Sequence, residues 1–388
     1  MKILQTIPGL SAQSGGPSTS TLNLLDGLLA LDVQVDLLTI KTDDMLGCGK
    51  PWLKVVPDDY KTPFAFSRNI CNFLNETEYD LYHANALWMG VSHITCKTAR
   101  RKGKPYIVSP HGMLYPTALE HHALRKKLLL NLWYYKDVHH ASCLHVTCEQ
   151  EAVHCRRFGY KGPIAIIPNA IVLPKDVKCK TFISRNHGDK LEIGFLGRLH
   201  PIKKIERVFH ALALLKEENP SNSQFFHFQI MGKGDENYEK KLRDDVKKLS
   251  LEGNVEFVGF VSGREKFDRL SQITALMVPS EQENFGMIVP EALICGTPVY
   301  ASHGTPWNEL NECQAGWWTD NEPETIAQLL KEILSLSDES LLKMGKNGRI
   351  LVENKYEQHK VAGMMKELYQ WIIVDRMDIT CKPSFVYY

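Results

Sequence analysis

One pattern constrains this chain more than any other. Apolar strands alternate with helices, and glycine-rich turns sit at the strand ends. The first strand reads KILQTI, and the turn PGLSAQSGGPS follows it, carrying Gly15 and Gly16. The helical stretch TSTLNLLDGLLAL comes next, then the strand VQVDLLTI. Strand, glycine loop, helix and strand in that order form a parallel α/β unit. The series goes on through DLYHANA, GVSHITCKTARRKGK, PYIVSPHGM, ASCLHVTC and IAIIPNAI. A polar, aperiodic stretch from Leu173 to Lys190 interrupts it and reads as a linker. A second series starts with LEIGFLGRL, IERVFHALALLKEE and HFQIMGKG, and runs through NVEFVGF, ITALMVPS and TPVYAS. Two helices, near Glu324–Leu336 and Glu357–Val374, close the chain. The fold class is therefore α/β, with two doubly wound parallel sheets of similar size. Ligands of such sheets sit beyond the carboxyl ends of the strands.

A length of 388 residues agrees with two domains, since one core rarely supports so many. Boundaries are expected at 1–178 for the first domain, 179–190 for a linker and 191–365 for the second domain. Residues 366–388 form a closing helix and tail that can pack back on the first domain. Composition is that of a globular protein, with 44% hydrophobic and 23% charged residues. Ten cysteines are scattered, with no C-x-x-C pair, and read as free thiols in a reducing compartment. The start, MKILQTIPGL, is too short and too weakly apolar for a signal peptide, and no window of about 18 apolar residues exists. A cytoplasmic location is expected. Charge is uneven. Residues 1–180 hold 21 Lys and Arg against 15 Asp and Glu, and the remainder 25 against 30. The stretch ALRKKLLLNLWYYKDVHH mixes Arg125, Lys126 and Lys127 with Leu128, Leu129, Leu132 and Trp133. A basic amphipathic helix of this kind can lie peripherally on an anionic membrane, although such helices more often pack on a core.

The strongest chemical signal is PSEQENFGMIVPEALICGTPVYAS, residues 279–302. A strand delivers the chain to a loop with Glu283 and Gly286, and a helix is expected to begin at Pro290 and Glu291. Backbone N–H groups at a helix start suit a diphosphate, and ionised carboxylates accept hydrogen bonds from paired sugar hydroxyls. Together they suit a nucleotide sugar. No D-x-D pair and no carboxylate cluster with metal spacing occurs, so neither a metal nor any other cofactor is expected.

At these residues the chain resembles retaining glycosyltransferases of the GT-B fold in the large fourth family. Glu283 and Glu291 stand at that family's E-x7-E spacing. Pro279, Ser280, Phe285, Gly286, Ala292, Cys295, Gly296, Pro298 and Val299 also match, while Asn284 replaces a usual glycine. GRLHPIKK resembles the family's phosphate-binding run and places Arg198 and Lys203 in it, with Lys204 where a glycine is usual. Gly15 and Gly16 resemble the first-strand loop, MGKG resembles a structural glycine turn, and Asn169–Ala170 resembles a PNG turn that has lost its glycine. SPHGMLYPTALEHHALRKK resembles bacterial surface-polysaccharide transferases and places His111 near the donor sugar.

The resemblance implies two Rossmann-like domains facing a central cleft, with the second binding the nucleotide sugar. It implies a catalytic set of His111, Arg198, Lys203 and Glu283. Donor contacts would come from Gly15, Gly16, Arg198, Lys203, Glu283, Asn284, Phe285, Gly286, Met287, Ile288 and Glu291. Glu283 would hold the sugar and Glu291 the ribose. The implied activity is retaining, metal-independent transfer from a UDP-sugar, or less commonly a GDP-sugar. The implied acceptor is a glycan or lipid-linked oligosaccharide of capsule or O-antigen. A sugar-nucleotide epimerase of similar architecture and a non-catalytic sugar-nucleotide-binding protein are the alternatives. An epimerase would convert donor without acceptor, and a binding protein would do neither. Nucleic acid is not an expected partner.

Overall fold

The computed structural model describes residues 1–11, 16–59, 65–120, 133–183, 185–186, 190–219, 226–375 and 378–388. The chain divides into two compact units, one of Met1–Val172 with Glu357–Tyr388 and one of Leu173–Tyr356.

The first unit holds strands β1 (Lys2–Gly9), β2 (Gln34–Ile40), β3 (Leu53–Val56), β4 (Leu81–Asn85), β5 (Tyr106–Ser109), β6 (Cys143–Val146) and β7 (Ile164–Ile166). They pair in parallel in the order β7-β6-β5-β4-β1-β2-β3, and a closing strand, Val386–Tyr387, adds antiparallel to β7. Nearly every residue of β1, β4, β5 and β6 is buried, as continuous apolar runs covered on both faces require. Strand order reverses at β1 and β4. There Gln5 registers with His83, and one strand further on Asn85 registers with Ser109. The Gln358–Ile373 helix packs on the Gly16–Ala30 helix, and its Val361, Ala362, Met365, Leu368 and Tyr369 join the core of this unit.

The second unit holds β8 (Arg185–Asn186), β9 (Lys190–Leu196), β10 (Phe226–Met231), β11 (Val255–Gly259), β12 (Ala275–Val278), β13 (Val299–Ser302) and β14 (Gly316–Thr319). The order is β11-β10-β9-β12-β13-β14, all parallel, with β8 antiparallel to β9. Order reverses between β9 and β12, which makes the carboxyl ends of those two strands the place to look for a ligand.

Three features differ from the sequence expectation. The units divide at Val172 and Tyr356, not at 178 and 365. The expected linker 179–190 belongs to the second unit, because Lys180 and Ile183 are buried in it and Lys180 Nζ donates to the Ile273 carbonyl. A helix spans Asp338–Leu351, where the sequence pattern does not predict one. Its Gly345 and Gly348 look like breakers, but they let the helix press on Gly296 and Leu293. Among the described residues no helix is long and apolar enough to cross a membrane.

Candidate active site

Arg198 and Lys203 follow β9, and Glu283 follows β12, so the switch point of the second sheet carries all three. The backbone explains why. Gly197 N donates to the Met231 carbonyl at 3.0 Å and Leu199 N to the Lys233 carbonyl at 2.9 Å, which folds the loop onto the MGKG turn. A Cβ on Gly232 would stand 1.9 Å from the Gly197 carbonyl oxygen, and one on Gly234 would stand 2.1 Å from that of Leu199. These glycines are therefore a steric condition for the Arg198 loop. Arg198 itself is exposed, with no ion pair among the described residues.

The chain then makes a 3-10 turn over Pro201–Lys203, and His200 Nδ1 accepts from Ile202 N at 3.2 Å. Lys204 ends the turn at φ +51°, in the left-handed region. That conformation accounts for the glycine of the resembling run, and here a lysine adopts it. By contrast, neither Asn284 nor Ala170 has positive φ, so the glycines they replace are not needed for backbone reasons.

The two loops are tied together. Glu281 N donates to the Ile202 carbonyl at 2.8 Å, and Glu283 N donates to the Gly304 carbonyl at 2.8 Å. Lys203 Nζ pairs directly with Glu283 Oε1, which also accepts from Ser280 Oγ at 2.9 Å. Both side chains are largely buried. Gly286 turns at φ +78°, and the loop's Phe285 packs against Trp307 in a tilted contact and edge-on against Tyr356, with ring centroids 5.3 and 5.6 Å away. Trp307 Nε1 donates to the Phe285 carbonyl. This aromatic cluster braces the loop.

The expected helix start at Pro290 and Glu291 moves. The helix spans Ile288–Ile294, with Met287 before it and Glu291 still in its first turn. Glu291 Oε1 accepts from Lys266 Nζ at 2.7 Å. Lys266 lies on the Gly263–Gln272 helix, and nothing local in GREKFDRLSQ marks it as the partner of Glu291. Each carboxylate is thus held by one oxygen. Among the described residues no hydrogen bond engages the second oxygen of either, which leaves each an oriented acceptor.

His111 and Gly16 lie in the first unit. Gly16 opens the Gly16–Ala30 helix, and Gly15 lies outside the described residues. His111 follows β5 at φ +50°, and Gly112 N donates to the buried carboxylate of Glu151 at 2.6 Å. His111 Nε2 meets Asn85 Oδ1 at 3.2 Å. Burial pushes the imidazole down to about 3, with the neighbouring His145 adding to the shift, so it is neutral at physiological pH. Arg125, Lys126, Lys127, Leu128, Leu129 and Leu132 lie outside the described residues. Among the described residues no group of three or more His, Cys, Asp or Glu is placed to hold a metal ion.

Comparison with known proteins identifies the family of both units. A family model for glycosyl transferases group 1 matches residues 178–351, and one for a glycosyl transferase 4-like domain matches residues 15–170. A GDP-mannose-dependent alpha-(1-6)-phosphatidylinositol dimannoside mannosyltransferase of Mycobacterium tuberculosis is 27% identical over 178 residues, 43% of this chain and 44% of that protein. The putative colanic acid biosynthesis glycosyltransferase WcaL of Escherichia coli is 27% identical over 188 residues, 46% and 45% of the two chains. The chain thus spans about half the length of the curated relatives it matches. Among solved structures, Anabaena HepE in complex with UDP-glucose superposes with a TM-score of 0.73 at 17% identity, over 95% of this chain and 99% of that one. The chain belongs to the GT-B-fold glycosyltransferases of the large fourth family, with the 4-like domain in its first unit and the group 1 domain in its second.

Proposed function

We propose that the protein transfers a sugar, with retention at the anomeric carbon, from a nucleotide-diphosphate sugar to a glycan or lipid-linked oligosaccharide of a surface polysaccharide. The observation that carries this reading is the Lys203–Glu283 pair at the β9/β12 switch point, with the exposed Arg198 on the same loop as Lys203 and Glu291 in the first turn of the helix that follows. UDP is the preferred donor nucleotide, supported by the likeness to HepE, which was solved with UDP-glucose. The mannosyltransferase relative is named for GDP-mannose, which makes GDP the second choice. WcaL, named for colanic acid biosynthesis, supports a polysaccharide acceptor.

In this reading Arg198 and Lys203 stabilise the negative charge that grows on the departing diphosphate. Glu283 orients donor-sugar hydroxyls, Glu291 accepts from the ribose, and His111 contacts the donor sugar. The backbone over Asn284–Ile288 lines the donor. No side chain is assigned as nucleophile. The departing phosphate takes the acceptor proton on the face it leaves, and positioning supplies most of the rate. The protein works in the cytoplasm, with Arg125–Trp133 as its contact with anionic lipid. Cosedimentation with vesicles that depends on anionic lipid tests that contact.

The functional test is a pair of variants assayed for donor binding and turnover. Glu291→Ala weakens donor binding. Lys203→Ala lowers turnover more than it weakens binding. Full activity in both would sink the assignment. Donor conversion without acceptor would favour an epimerase instead.

A further inference from the structure

The first unit contains a hydrogen-bonded chain that ends at His111 and whose other members the proposed chemistry does not use. It begins at the Ile167 carbonyl, which meets His145 Nε2 at 3.0 Å. His145 Nδ1 meets Ser109 Oγ at 2.8 Å, and Ser109 Oγ meets His83 Nε2 at 2.7 Å. His83 Nδ1 meets the Tyr369 hydroxyl at 2.8 Å, and that hydroxyl accepts from Gln5 Nε2 at 2.9 Å. Gln5 Oε1 accepts from Asn85 Nδ2 at 3.1 Å, and Asn85 Oδ1 meets His111 Nε2. Gln5, His83, Asn85, Ser109, His145 and Tyr369 are all buried. The sheet places five of them on one face through the β1, β4, β5 and β6 registers, and the Gln358–Ile373 helix lowers Tyr369 onto that face.

The chain has only one self-consistent direction. A carbonyl only accepts, so His145 Nε2 carries the proton. Burial holds His145 down to about 4 and His83 well below its usual range, so both rings are neutral and each has one bare nitrogen. His145 Nδ1 therefore accepts, and Ser109 spends its proton there. Ser109 Oγ must then accept from His83 Nε2, which leaves His83 Nδ1 bare. Tyr369 donates to it and can only accept from Gln5. That fixes the Gln5 amide, which fixes the Asn85 amide, which turns Oδ1 toward His111. His111 Nε2 is then the protonated nitrogen.

We infer that Tyr369, Gln5 and Asn85 are positioning residues that fix His111 as its Nε2–H tautomer, so that His111 presents Nδ1 as a hydrogen-bond acceptor. A histidine near a donor sugar can donate a hydrogen bond to a sugar hydroxyl or to developing charge. Here its proton is committed to Asn85, and it accepts from the hydroxyl instead. That last clause rests on the proposed function, whereas the tautomer does not.

The experiment is histidine-selective 15N NMR on the full, ligand-free chain, with His111 assigned by a His111→Gln variant. Nε2 of His111 is expected to show the shift of a protonated nitrogen and Nδ1 that of a bare one. Tyr369→Phe cuts the chain, and the tautomer ratio is expected to fall about fivefold, the equivalent of one buried hydrogen bond. Ser109→Ala cuts it elsewhere with the same result, which covers the case in which Tyr369→Phe fails to fold. Tyr160→Phe removes another buried hydroxyl bond, to the Ala141 carbonyl, and should leave the ratio unchanged. An Nδ1-protonated His111, or a ratio unmoved by a folded Tyr369→Phe or Ser109→Ala, overturns the inference. The expected tautomer in a protein that binds no nucleotide sugar would overturn the functional reading and support this one.

Discussion

Lys203→Met separates two roles that the donor site assigns to one ion pair. Side-chain exposure is 19% for Lys203 and 12% for Glu283, so the pair is neither a surface bridge nor fully dry. At an effective dielectric constant of about 20, opposite charges about 4 Å apart attract by about 4 kcal/mol. Lost hydration opposes most of that, and exposed pairs keep at most about 1 kcal/mol. Removing one partner of a buried pair costs about 3–5 kcal/mol, because the other charge is stranded. The present pair falls between these limits, and Ser280 Oγ still serves Glu283 when the lysine is gone. A loss of about 2 kcal/mol is therefore expected for Lys203→Met, and about 1–2 kcal/mol of coupling in a cycle with Glu283→Gln. Denaturant unfolding of the full chain reads the cycle, on the transition that moves with Glu283→Gln. Additivity within about 0.5 kcal/mol would refute the reasoning. It would mean that Lys203 and Glu283 are held by their loops and not by each other.

Gly234→Ala should destabilise the second unit by more than the ~1 kcal/mol typical of a point substitution, because its Cβ would strike the Leu199 carbonyl; a lowered unfolding midpoint and weakened nucleotide binding together report it. Lys180 is held down to about 7 by burial, against an ordinary 10.5. Between those values the unfolded chain binds more protons than the folded one, so this group makes stability rise with pH from about 7 to about 10.5 and adds no slope below. Lys180→Met should flatten that part of a stability–pH profile, and an unchanged profile would place the slope elsewhere. Transfer should withstand EDTA at full rate once the donor is known, and a loss restored by added divalent metal would overturn metal independence.

The parallel α/β alternation and the split into two units were legible because each strand–loop–helix step is local in sequence. So was the place of Arg198, Lys203 and Glu283 just past strand ends, since LEIGFLGRL and ITALMVPS read as the strands that deliver them. Lys204 shows how a departure from the glycine pattern is accommodated: the lysine backbone adopts the left-handed turn that the glycine serves. What sequence did not reveal depends on which face of an element meets another. Lys266 reaches Glu291 across 25 residues only because two helices pack side by side. Tyr369 meets Gln5 across 364 residues, and no local pattern distinguishes it from any other buried tyrosine. The Asp338–Leu351 helix was hidden by glycines that serve close packing. The early helix start at Ile288 escaped because proline at a first turn is so common that Pro290 drew the boundary to itself.

The central claim is a nucleotide-sugar site built on β9 and β12, and calorimetric titration of the full chain with UDP-, GDP- and dTDP-sugars tests it most directly. The expected result is binding of a UDP-sugar that Glu291→Ala weakens about tenfold or more, the equivalent of about 1.4 kcal/mol. Absence of binding by every nucleotide sugar in the series, or an affinity unchanged in both Glu291→Ala and Lys203→Ala, would contradict it.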